Sequence, residues 1–83
     1  MTDSNWYIRR LHKAVRRRER RVEKIQAKIE RAKQRHANGK VTRATLQRKS
    51  MNYEARIRAL KARIQLYRGA IGKERRRLEE IGA

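Results

Sequence analysis

The sequence predicts an all-α fold: two long helices closed into an antiparallel coiled-coil hairpin. Three observations predict it. Proline is absent from the 83 residues, and Gly is confined to positions 39, 69, 72 and 82. Two runs of apolar residues advance in alternating steps of three and four, the seam of a coiled coil. Between those runs lies Asn38-Gly39, the one strong chain break before the last third of the chain.

The first helix is expected over about residues 4–37. Asp3 or Ser4 can cap its start, and Asn38-Gly39 supplies residues that tolerate the left-handed conformation at its end. Lys33, Arg35 and His36 place positive charge near the negative end of the helix dipole. Its seam is Ile8, Leu11, Val15, Arg18, Val22, Ile25, Ile29, Ala32 and His36, with Arg18 and His36 the only polar members. Arg18 either snorkels its head outward or makes a buried polar contact that fixes register.

The turn is expected at Asn38–Thr42, and Thr42 caps a second helix over about residues 43–81. Its seam is Leu46, Ser50, Tyr53, Ile57, Leu60, Ile64, Tyr67, Ile71, Glu74, Leu78 and Ile81. Tyr53 and Tyr67 are therefore core residues whose hydroxyls reach the edge. Gly69 and Gly72 invite a kink, but the seam stays in phase through them, which favours one continuous helix. With His36 opposite Leu46, the layers run from Ala32–Ser50 and Ile29–Tyr53 to Leu11–Ile71 and Ile8–Glu74, centred on the expected turn. Residues 1–83 are read as a single hairpin unit.

Composition narrows the function classes. With 41% charged and 37% hydrophobic residues and no Phe, the chain cannot bury a large core. Cysteine is absent, so neither disulfides, thiolate metal sites nor a Cys nucleophile arise. His12 and His36 stand far apart on one helix without suitably spaced carboxylates, and Glu79-Glu80, being adjacent, face different directions. No enzymatic activity, metal or other cofactor is expected. The longest apolar run is Trp6-Tyr7-Ile8, too short for a signal or membrane-spanning segment. The expected location is intracellular or within a nucleoprotein particle such as a ribosome, nucleoid or virion, without membrane binding.

The dominant feature is charge: 26 Lys plus Arg against 8 Asp plus Glu, a net charge of +18. Self-repulsion on this scale opposes any compact state until anions neutralise it, so a polyanionic partner is the leading expectation. Arginine outnumbers lysine by 18 to 8, and the guanidinium fork holds phosphate bidentately where ammonium acts as a point charge.

The hairpin register turns this count into a map. One edge is mixed, with His12–Arg68, Glu19–Lys61, Gln26–Glu54 and Lys33–Gln47 facing each other. The other sets like charges opposite one another at Arg21–Arg63, Lys28–Arg56 and Arg35–Lys49, an arrangement that opposes folding but suits an anion seat. Arg10, Arg17, Lys24 and Arg31 extend that side into a basic strip on a helix of roughly 50 Å. The clusters Arg16–Arg21 and Arg75, Arg76, Arg77 spread charge around the rod, suiting a protein embedded among several nucleic-acid segments.

Two further features stand outside the seam. Trp6, beside Tyr7, Arg9 and Arg10, either stacks on an unpaired base or folds back over the turn near Leu78 and Ile81. Ala55, Ala59, Ala62, Leu66 and Gly69 form a nearly uncharged stripe on the back of helix 2, either an interface or simply good helix formers. The expected function is non-enzymatic, largely sequence-independent binding of RNA or DNA, as a structural or packaging component. The alternative is a coiled-coil module that binds an acidic helical partner or self-assembles into a four-helix bundle. No motif for sequence-specific reading is present.

Overall fold

The computed structural model describes residues 2–82, with side chains described from residue 5 onward. Over that span the chain forms α1 (Thr2–Ala37) and α2 (Arg43–Gly82), packed against each other, with no strand among the described residues. The all-α helical hairpin is the fold. α1 starts at Thr2, so Asp3 and Ser4 already carry helical backbone instead of preceding it; their side chains, on which the capping expectation rests, lie outside the description.

Local chemistry explains the reversal. Gly39 adopts φ 74°, the left-handed conformation that an L side chain resists. Its amide donates to the His36 carbonyl and the Lys40 amide to the Arg35 carbonyl, both at 2.9 Å. These are the two bonds of a Schellman termination, which satisfies carbonyls the helix would otherwise orphan. A turn later, Thr42 Oγ1 accepts from the Thr45 amide at 3.2 Å, capping α2. His36 fastens the loop from the helix side, its Nδ1 donating to the Val41 carbonyl at 3.1 Å.

The molecule is a rod of 63 × 15 × 14 Å with a radius of gyration of 18.7 Å. A compact globule of this length would have a radius of about 12 Å. A structure two helices thick has no layer behind the seam, so its core is small: Leu11, Val15, Val22, Ala32, Ile64 and Ile71 are buried. Ile8, Ile57, Leu60 and Tyr67 pack against that core half-buried.

Every seam position from Ile8 to Leu78 is buried or half-buried. Ile81, at the free end of the seam, is the exception at 68% exposed. Arg18 resolves its two readings by lying along its own helix. Its guanidinium donates to the Ala14 carbonyl at 3.2 Å and sits 4.7 Å over the Tyr67 ring. The apolar stem thus fills the seam while the charge reaches the edge.

α2 runs unbroken through Gly69 and Gly72, and a Cβ at either would meet nothing within 4 Å. Neither glycine is demanded by its φ or by a close neighbour. Gly69→Ala and Gly72→Ala are therefore each expected to raise stability by about 0.5–1 kcal/mol, read from the thermal midpoint of the far-ultraviolet circular dichroism signal.

Candidate nucleic-acid interface

The two edges of the hairpin differ in what their side chains find. On the mixed edge Arg68 donates to Glu19 at 2.8 Å, and Arg75 reaches His12 Nε2 at 3.3 Å. The expected partners were one heptad off, with Arg68 opposite His12 and Lys61 opposite Glu19. Cα–Cβ bonds tilt toward the N-terminus of each helix, so in an antiparallel pair the long side chains lean past each other. The residues that meet consequently lie further along both chains than residues level at the backbone. The seam is unaffected, and Lys61 still lines the same groove as Glu19.

The other edge has no such relief. Near the loop Lys28, Arg31, Arg35 and Lys49 line one groove of about 240 Å³, with Ala32 and Tyr53 supplying its uncharged lining. The ion pairs among the described residues join Lys33 to Glu30, Arg68 to Glu19 and Arg77 to Glu74, and none enters this groove. The expected juxtaposition of Arg35 with Lys49 is thus present, joined by Lys28 and Arg31. The sequence carries a second signal beside the register for three of these cations: no acid stands between Glu30 and Glu54, the stretch that holds Arg31, Arg35 and Lys49 and wraps the loop end.

All thirteen expected phosphate-binding residues are exposed, but they are not equivalent. Arg17, Arg21, Lys24, Arg56, Arg63 and Arg76 are exposed and take part in no ion pair among the described residues. Arg10 instead turns back one helical turn, its guanidinium 4.9 Å from the centroid of the Trp6 ring. Arg75 is held against His12. Arg77 hydrogen-bonds to the half-buried Glu74, whose carboxylate holds the guanidinium above its usual arginine pKa. An anion there must compete with a carboxylate already in place, which sets Arg77 apart from the others.

Trp6 keeps 52% of its surface exposed and lines a groove with Arg9, Arg10, Lys13 and Arg16. Its ring partner is Arg10 on its own helix, which favours the outward-facing reading over the fold-back. Ala55, Ala59, Ala62, Leu66 and Gly69 are all exposed along the back of α2. Leu66 is 67% exposed, and nearby Met51 is 69% exposed.

No helix of the described residues is long and apolar enough to cross a membrane. No protein-family model, curated protein or solved structure matches the chain.

Proposed function

We propose that the hairpin is a non-enzymatic nucleic-acid-binding protein that grips phosphate backbones with little regard for base sequence, as a structural or packaging component of a nucleoprotein assembly. The observation that carries this reading is the groove of Lys28, Arg31, Arg35 and Lys49, four cations without a carboxylate on an edge where they oppose folding. Phosphates would neutralise them and extend along the strip formed by Arg17, Arg21 and Lys24. Such contacts position a backbone and carry no sequence information. The elongated rod presents them along its length, which suits a duplex or a ribonucleoprotein helix laid alongside.

A second reading rests on a different surface. The exposed run of Ala55, Ala59, Ala62 and Leu66 would let a partner helix approach closely, and the surrounding positive charge would select an acidic one. A competition experiment separates the two. Fluorescent duplexes of two unrelated sequences are expected to bind with equal affinity, and Ala59→Glu with Ala62→Glu is expected to leave that affinity within about twofold, as for independent sites. Failure of both duplexes to bind, with capture of an acidic helical peptide that the Glu variant abolishes, would transfer the function to the second surface.

A further inference from the structure

The grooved edge handles phosphates, but the free end of the rod carries chemistry that phosphates do not need. Trp6 is the only tryptophan, it points away from the seam, and Tyr7 beside it is 43% exposed. The two rings leave apolar surface in water at the end of the rod, where its burial would be favourable. Arg10 lies on the ring at 4.9 Å, a cation–π contact that favours this orientation of the indole. A stacking surface biased toward one orientation loses less conformational freedom on binding.

The surroundings specify the ligand. Arg9, Lys13 and Arg16 line the groove beside the ring, and no acid stands between Asp3 and Glu19. Arg9 and Arg16 flank Lys13 at steps of about one helical turn, so the cations track away from the ring along the helix axis. A flat apolar face followed by a line of cations matches one ligand class: a base with its own phosphodiester strand attached. In the interior of a duplex the base faces are covered by their neighbours, so the ring would have nothing to stack on there.

We propose that the free end of the hairpin binds an unpaired nucleobase, which stacks on Trp6 while Arg9, Lys13 and Arg16 hold the adjoining phosphates of the same single strand. This rests on the nucleic-acid reading above and adds to it a second contact of different chemistry. The rod would then grip paired segments along its edge and a single-stranded segment or frayed end at its tip.

Because Trp6 is the only indole, its fluorescence reports the site directly. The whole chain is titrated with a single strand of about 12 nucleotides, as DNA and as RNA, with the blunt duplex and with an abasic strand of equal length. Either single strand is expected to quench Trp6, while the duplex and the abasic strand bind with little quenching. Trp6→Leu is expected to weaken single-strand binding roughly tenfold or more, with Trp6→Tyr restoring part of it and duplex affinity unchanged. Single-strand binding with unquenched Trp6, or equal affinity in Trp6→Leu, would overturn the proposal and leave the edge reading standing. Absence of binding to every polymer would overturn both. A blue shift on phosphatidylglycerol vesicles without any response to single strands would assign the indole to a membrane surface instead.

Discussion

Replacing Lys28, Arg31, Arg35 and Lys49 together with Gln is expected to weaken duplex binding roughly a thousandfold at ~0.1 M salt. Each lost phosphate contact removes close to one released counterion, so the salt dependence should also become shallower, by roughly 3–4 in logarithmic slope. The four residues line one groove without a carboxylate, and their mutual repulsion is relieved on substitution. Helicity should therefore hold or rise while binding collapses, which separates the effect from unfolding. Gln substitution of Arg20, Arg48 and Arg58, exposed on the outer faces, serves as the contrast. If that variant loses as much affinity, bulk charge and not the edge binds the polyanion.

The second large effect is on folding. Ile64→Ala should cost about 3 kcal/mol, since the side chain is 6% exposed at the middle of the seam and its removal leaves a cavity. Six buried apolar residues among those described hold this rod together, so a loss of that size consumes most of the margin that a small domain has. Highly charged helices released from each other are marginal on their own. The free variant is expected to lose much of its far-ultraviolet circular dichroism signal and to recover it when duplex DNA is added, because a ligand that binds the folded form stabilises it by mass action. Ile81→Ala, at the exposed end of the same seam, should change stability by less than about 0.5 kcal/mol. Equal losses at both positions would contradict the seam as the source of stability.

Periodicity made the fold legible because a hairpin of two helices has one buried stripe and nothing else to bury. Alternating spacing identified the residues from Ile8 to Leu78 that leave water, and Asn38-Gly39 with Thr42 marked a turn whose Schellman bonds and cap follow from those residue types. Gly69 and Gly72 did not break α2, since an in-phase seam on both sides outweighs two small propensity penalties.

The edges were less legible. Periodicity assigns a residue to an edge but not to a partner, and the tilt of side chains moved Arg68 to Glu19 and Arg75 to His12. Long cationic side chains also take whichever local partner is nearest. Arg10 found Trp6 and Arg77 found Glu74, neither of which a count of like charges reveals. The residues of the loop-end groove were legible, Lys28, Arg35 and Lys49 from the register and Arg31 from the strip beside them, whereas their convergence on one groove came only from the three-dimensional arrangement.

Those differences bear on how the charge is used. Within the net charge of +18, some cations are engaged within the fold and others face water, on the outer faces as well as along the edge of Lys28, Arg35 and Lys49. The proposed binding edge differs from the mixed one in lacking acids among its facing pairs, a distinction that composition alone does not make.

The most direct test of a phosphate-binding edge is the affinity of the intact protein for duplex DNA measured across a series of salt concentrations. With about 8 side chains on phosphates, the logarithm of the association constant should fall with a slope of roughly −7 against the logarithm of salt. A flat response, or no measurable binding at low salt, would contradict the account.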